Sequence, residues 1–441
     1  MKTSVVLTSV ILGAFASCAV AADFSIKGSV SETVDASKNY FLSAAPTGAT
    51  AKSLTSGTLD FLAQTPTTRY LLDTNYSYYK YFGPGAADVP LVWGTPFNIA
   101  FSIDHVTELA KYNFNATWNR ADEATTILAQ TGVAAGRGSV NTYSVGGGVN
   151  RDLSRADTVS WTANASAVSY TDPAQTPSND LTAGLTWNHD LSSTIGLINS
   201  VNLDWFAADN DTQSERLFWK LTTGLQSRLS SRLIFSADVG VGFANAWQKG
   251  ATQTVVAPPV ILGPGQIPPL VPFQSQAGTG NSILADVALT YDLLKTTKVS
   301  ITAAQAIAPV ITGQLQKSDT VGLTVSHAVN SYSNLSFATQ LTYVPASPAG
   351  NLFGSQSSAS DFFSAALSYG YQFTREWRSN VSYTYLVRND DTGVVRSSII
   401  LVSLTRDFNV LGNPTAINQA EAERARQRER NSVGYVFPFY H

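Results

Sequence analysis

Over long stretches of this chain apolar and polar side chains alternate one for one, in blocks of about ten residues closed by turn-forming residues, which is the pattern of a two-faced strand. From Trp377 to Val387 the odd positions read Trp377, Ser379, Val381, Tyr383, Tyr385 and Val387, against Arg378, Asn380, Ser382, Thr384 and Leu386 at the even ones. In the preceding block Phe363, Ala365, Leu367, Tyr369, Tyr371 and Phe373 alternate with Ser364, Ala366, Ser368, Gly370 and Gln372. The same beat recurs from Leu335 to Tyr343, from Leu233 to Phe243 and from Leu217 to Arg228. Each block predicts a strand with one face suited to hydrocarbon and one to water.

The links between blocks are of two alternating kinds. Short polar turns are predicted at His105-Val106-Thr107, Leu153-Ser154-Arg155, Leu191-Ser192-Ser193, Leu229-Ser230-Ser231, Lys295-Thr296-Thr297, Asn330-Ser331 and Thr374-Arg375. Longer links rich in Gly, Pro, Ser, Thr or Asp fall between them, at Phe82 to Trp93, Ala121 to Gly138, Thr171 to Asp180, Trp247 to Gly278 and Pro345 to Ala359, with shorter ones near Asp209, Gln314 and Asp390. Outer-membrane barrels show this asymmetry, with tight periplasmic turns and longer external loops. Threaded this way the chain is all-β, a transmembrane antiparallel up-and-down barrel of about 18 strands (roughly 16 to 18) whose two ends both face the periplasm. Closure is a physical demand, because an open sheet edge in hydrocarbon leaves backbone groups unpaired at several kcal/mol each. Up to about Ile103 the alternation is less regular.

The two ends of the chain differ from its middle. Lys2, an apolar run from Val5 to Val20, and Ala19-Val20-Ala21-Ala22 before Asp23 have the layout of a secretory signal. The expected division is a signal peptide over 1–22, a barrel over 23–408 and a periplasmic extension over 409–441. Cys18, the sole cysteine, falls inside the signal; a lipidated Cys18 is the alternative, against which Phe15 stands three positions upstream. In the extension, Asn413-Pro414 opens a segment rich in Ala, Glu, Gln and Arg that predicts a short helix, followed by Val433-Gly434-Tyr435-Val436-Phe437-Pro438-Phe439-Tyr440.

Composition fits the barrel. Charged residues are 13%, aromatics 11% and mean hydropathy is +0.00. That is too little charge for an ordinary soluble surface, while no later run approaches the ~20 apolar residues of a spanning helix. A net charge of −3 argues against a nucleic-acid partner.

Candidate chemistry is sparse. Asp104-His105 and His189-Asp190 are adjacent acid–imidazole pairs, but both fall at predicted short turns, and neighbours on a strand point to opposite faces. His327 reads as an interfacial aromatic. Asp209-Asn210-Asp211-Thr212 and Asp390-Asp391 lack the ligand order and glycine of a calcium loop and read as solvated turns. No cofactor or metal motif stands out, and no enzyme activity is expected. The polar faces are mostly Ser, Thr, Asn, Gly and Gln, and Lys220, Arg228, Asp238, Asp286 and Arg378 are the candidate pore-lining charges. A barrel of this size encloses an aqueous channel. The proline-rich stretch Thr252 to Ala277 is long enough to fold inward and constrict it.

Together, the signal layout, the repeated two-faced strands and the final strand Ser397 to Phe408 resemble a bacterial outer-membrane family of β-barrel porins, some of whose members are associated with exopolysaccharide systems. The resemblance implies a last strand that ends on an aromatic recognised by the barrel-insertion machinery, which makes Phe408 the candidate barrel-closing residue. This chain departs from that pattern by continuing to His441. The expected function is a porin-like channel for passive diffusion of small polar solutes. The alternative is a non-conducting barrel that assists assembly or export of surface polysaccharide, with a soluble β-rich binding protein as a third reading. The partners implied are outer-membrane lipid, the insertion machinery, and small polar solutes or polysaccharide components.

Overall fold

A computed structural model of the protein describes residues 23–43, 45–88, 92–126, 138–173, 175–209, 214–248, 278–309, 315–345, 359–391 and 393–412, and the statements below concern these. The first six strands are β1 (Asp23–Ser37), β2 (Thr50–Gln64), β3 (Thr68–Phe82), β4 (Phe97–Val106), β5 (Ala110–Asp122) and β6 (Ser139–Asp152). Then come β7 (Asp157–Tyr170), β8 (Ser178–Asp190), β9 (Ile195–Ala208), β10 (Ser214–Ser230), β11 (Leu233–Gln248) and β12 (Gly278–Leu294). The last are β13 (Thr297–Pro309), β14 (Leu315–Asn330), β15 (Ser333–Val344), β16 (Ser360–Gln372), β17 (Trp377–Asp390) and β18 (Gly393–Gly412). A two-residue bridge at Trp93–Gly94 continues the line of β4 along β3.

Every strand pairs antiparallel with its chain neighbours, and β1 pairs with β18 from Ser25 opposite Gly412 to Ser37 opposite Ile399. The eighteen strands therefore form a closed ring with no free edge, as hydrocarbon requires. β18 continues past Phe408 to Gly412.

Directly paired residues share a face, so the register carries one parity around the whole ring. The outward parity holds large apolar side chains left open by the fold, such as Val30 at 50%, Val239 at 53%, Ile283 at 65%, Val321 at 55% and Ile400 at 56% exposure. An apolar belt of this extent is stable only against lipid, which makes the molecule a membrane-spanning barrel of the outer-membrane type. The acid Glu32 also has the outward parity, and it accepts hydrogen bonds from Ser53 Oγ at 2.6 Å and Thr55 Oγ1 at 2.5 Å on the next strand.

One end of the ring carries only short turns, at 65–67, 107–109, 153–156, 191–194, 231–232, 295–296, 331–332 and 373–376; the other carries the longer links together with the two-residue link 391–392. Five of the short turns close on the same local bond, in which a Ser or Thr hydroxyl accepts from the backbone N–H three residues on. Thr65 accepts from Thr68 at 3.0 Å, Thr107 from Ala110 at 3.1 Å, Ser154 from Asp157 at 3.0 Å, Ser192 from Ile195 at 3.1 Å and Thr374 from Trp377 at 3.1 Å. This bond is the physical content of the polar turn residues.

Candidate functional site: the lumen and its inward segment

The inward parity builds a wall of hydroxyls, amides and glycines. Neighbouring strands bond through hydroxyl pairs, Ser29 with Thr58 at 2.7 Å, Ser56 with Ser77 at 2.8 Å, Thr117 with Ser144 at 2.6 Å, Ser200 with Thr222 at 2.5 Å and Ser336 with Ser368 at 2.6 Å. A paired hydroxyl still has lone pairs for water, so such a wall is wetted without carrying fixed charge.

All five candidate charges have the inward parity. Lys220 lies opposite Asn202 and Gly242, Arg228 opposite Ile234, Asp238 between Gly224 and Asp286, and Arg378 opposite Gln372 and Thr405. Only Asp238 and Asp286 are brought together. Arg378 Nη2 sits 3.1 Å from Asp407 Oδ1, so its charge is offset locally. A second acidic pair, Asp180 on β8 and Asp204 on β9, makes a carboxyl–carboxyl contact that only the register reveals. Near it Arg216 is buried, with its guanidinium 5.9 Å from the Phe206 ring.

The link from β1 to β2, residues 38–49, does not project away from the barrel. Leu42 is 1% exposed and packs against Leu386, Val395, Phe362 and Ile399, all inward residues of β16, β17 and β18. Phe41 and Tyr40 pack against the inward Tyr79, Tyr81 and Leu54 of β2 and β3, with Tyr40 edge-on to Tyr81 at 5.5 Å between centroids. The segment therefore lies inside the lumen, across an arc of wall from β16 to β3. Asn39 shapes the turn: its Nδ2 donates to Ser43 O at 2.8 Å, its Oδ1 accepts from Ser43 N at 2.8 Å, and Nδ2 also reaches Arg396 O at 3.3 Å. Tyr40 OH donates to Asp35 Oδ2 at 3.2 Å. Burial, and then the neighbouring Asp35 charge, hold the Tyr40 phenol well above its ordinary range, so it remains a donor.

Leu42 takes a left-handed backbone, φ 51°. That conformation costs a residue with a Cβ roughly 1–2 kcal/mol, whereas burying a leucine side chain is worth about 1.5–3 kcal/mol. Packing outweighs strain, and the segment stays in. The sequence-predicted constriction, Thr252 to Ala277, lies outside the described residues; the inward segment that is seen comes from the irregular early region instead.

The long-link rim holds one unusual acid. A helical turn begins at Glu123, directly after β5. Glu123 is fully buried, with its carboxyl beside the Gly138 backbone and the Gln175 side chain. Burial, then the charges of Asp172 and Asp122, push its carboxyl up to about 7. Beside it Tyr79 OH donates to Asp122 Oδ2 at 2.6 Å, next to a cavity of about 260 Å³ lined by Tyr79, Trp93, Pro96, Arg120, Asp122 and Ser139. Between the unfolded value of 4.5 and about 7, the folded state keeps a proton that the unfolded state has lost, so stability falls as pH rises through that window. Glu123→Gln, which mimics the protonated form, is expected to raise the thermal midpoint at pH 8 and leave it unchanged at pH 4. A midpoint difference that stays constant from pH 4 to 8 would contradict this.

The three described histidines take no part in the lumen. His105, His189 and His327 all have the outward parity near the short turns, and each bonds through Nδ1 to the residue directly opposite. The partners are Thr68 Oγ1, Asp157 Oδ1 and Thr297 Oγ1, each at 2.8 Å. Neither adjacent acid–imidazole pair in the sequence is a contact pair. Asp390 instead lies 3.0 Å from Arg388 Nε. A groove of about 630 Å³ is on the outer wall among Leu185, Trp187, Val201, Leu221, Val239 and Ile283, where it faces hydrocarbon rather than solute. Phe408 likewise has the outward parity, its ring lying against Gly28 on β1.

The sequence matches no family model and no curated protein. Among solved structures the chain is similar to OccAB4 of Acinetobacter baumannii, with 10% identity, 88% of this chain and 98% of that one covered, and a TM-score of 0.45. It is also similar to OpdK of Pseudomonas aeruginosa with vanillate, at 9% identity, 87% and 98% coverage and a TM-score of 0.45. The ferric-catecholate import receptor Fiu of E. coli gives 12% identity, 88% and 82% coverage and a TM-score of 0.48. The likeness is one of barrel architecture.

Proposed function

We propose that the chain is a porin-like outer-membrane channel for passive diffusion of small polar solutes, narrowed on one side by residues 38–49. The observation that carries this reading is the lumen wall, a closed ring of eighteen strands lined mainly by paired hydroxyls, amides and glycines. A ring of this size leaves room for water. Lys220, Arg228, Asp238, Asp286 and Arg378 are the pore-lining charges in this reading. Their mixed signs favour weak selectivity, since strong ion selectivity calls for a ring of one sign. The short turns belong to the periplasmic side and the longer links to the outside, with outer-membrane lipid against the apolar belt.

Purified full-length protein in planar bilayers is expected to give discrete conductance steps, with a reversal potential near zero in a salt gradient. Neutral and singly charged sugars of equal size should enter reconstituted vesicles at rates within about tenfold of one another. A silent bilayer from correctly folded protein would sink the proposal.

A further inference from the structure

The short-turn end of the barrel carries an apolar ring that the membrane does not account for. Seven of its eight turns hold or adjoin an exposed large apolar residue, among them Leu109 at 60%, Leu153 at 60%, Leu191 at 58%, Leu229 at 60%, Val329 at 51% and Phe373 at 57% exposure. Two positions before three of these, on the same outward parity, stand polar side chains: Arg151 before Leu153, His189 before Leu191 and His327 before Val329. At these three turns the order along the outside is thus apolar belt, polar residue, apolar tip, whereas Tyr291 and Tyr371 carry the belt on towards Leu293 and Phe373. A hydrocarbon slab has one edge at each end of a barrel, and the tips lie beyond it by roughly 5 Å, the rise of two tilted strand residues. They call for an apolar partner outside the bilayer.

The chain itself supplies one. β18 ends at Gly412 on this same end, and residues 413–441 continue from there. That stretch is polar and charged as far as Asn431, then closes with Tyr435, Val436, Phe437, Phe439 and Tyr440. We propose that this aromatic terminus docks on the leucine-bearing turn tips of its own barrel. The reach suffices: from Gly412 to Tyr435 an extended chain spans on the order of 70 Å, against a barrel roughly 35 Å across from the strand spacing and tilt. Attachment at the rim keeps the terminus at high local concentration, so the contact forms in preference to one with a separate protein. The inference is independent of whether the lumen conducts.

The test uses full-length protein in liposomes, with a photo-crosslinking phenylalanine analogue at position 437. Adducts to peptides that contain Leu153, Leu191 or Leu229 of the same chain are expected. Adducts to lipid alone, to a second copy or to other proteins, or no adduct at all, would overturn the proposal. In parallel, the triple variant L153D/L191D/L229D is expected to raise the rate of protease cleavage within the terminus about tenfold, with heat-modifiable migration of the barrel unchanged. Should that variant not fold, F437D/F439D, which follows β18 in the sequence, must show the same increase. Cleavage at the wild-type rate in a folded variant would also overturn it.

Discussion

Replacing residues 38–49 by Asn-Gly is expected to raise single-channel conductance roughly twofold or more while the barrel still folds, because the lumen widens where the segment now lies against its wall. The replacement is geometrically clean. Ser37 and Thr50 are already a directly opposed pair, so two residues suffice to join β1 to β2 as a tight hairpin, and Asn-Gly supplies the two positive φ angles such a turn needs. The deletion relieves roughly 1–2 kcal/mol of left-handed backbone strain at Leu42 but gives up its burial, about 1.5–3 kcal/mol, together with the packing of Tyr40 and Phe41, so the hairpin is expected to be less stable than the wild type though still folded. The newly uncovered inward residues Leu54, Tyr81, Leu386 and Val395 would face water, which tolerates scattered apolar groups. A weaker variant makes the same point. Leu42→Ala keeps the strained backbone and loses the packing that holds it, so the segment is expected to leave the wall part of the time and appear as two conductance levels. Unchanged conductance in the Asn-Gly hairpin, measured beside the wild type, would show that residues 38–49 do not narrow the path.

The same segment explains where the sequence was legible and where it was not. β16, β17 and β18 read cleanly as two-faced strands over most of their length because their outward side meets lipid and their inward side meets water. The alternation breaks where the inward side meets protein. Leu386, Val395, Ile399 and Phe362 are apolar and inward because Leu42 covers them, and Leu54 is inward because Tyr40 and Phe41 lie over it. In β2 the outward positions Ser53 and Thr55 are polar as well, bound to Glu32, so this strand carries its polar and apolar residues on both faces. A period-two pattern encodes what each face touches, and it cannot distinguish a link that projects outward from one that folds back inside. The candidate charges illustrate the same limit. Parity assigned Lys220, Arg228, Asp238, Asp286 and Arg378 to one face from sequence alone, but the contacts of Asp180 with Asp204 and of Arg378 with Asp407 depend on inter-strand register. Register is fixed by ring closure, a property of the whole sheet.

Gly28→Leu is expected to destabilise the barrel by about 1–3 kcal/mol, the usual range for overpacking a filled site. Gly28 and Phe408 are directly opposed across the β1–β18 seam, and the Phe408 ring lies over the glycine, where any Cβ would meet ring atoms. An aromatic laid over a strand glycine restores the side-chain contact that glycine lacks, so the two residues form one packing unit at the join that closes the ring. Phe408→Ala removes the cover and is expected to cost about 0.5–1.5 kcal/mol in lost aromatic packing, with lipid filling part of the gap. In the double variant the new leucine occupies space the ring has left, so the two effects should not add. A coupling of about 1 kcal/mol or more, of the sign that makes the double variant better than the sum, is expected from urea unfolding in liposomes. Additivity within about 0.5 kcal/mol would show that the seam does not depend on this pair. The cycle also separates two roles for Phe408. If the residue serves only as an aromatic signal to the insertion machinery, Phe408→Ala lowers the amount of barrel assembled in cells yet leaves the refolded protein as stable as wild type, and Gly28→Leu has no effect on assembly beyond its cost to stability. Seam packing predicts the reverse order, with loss of stability in the refolded protein first and loss of assembled barrel in proportion to it.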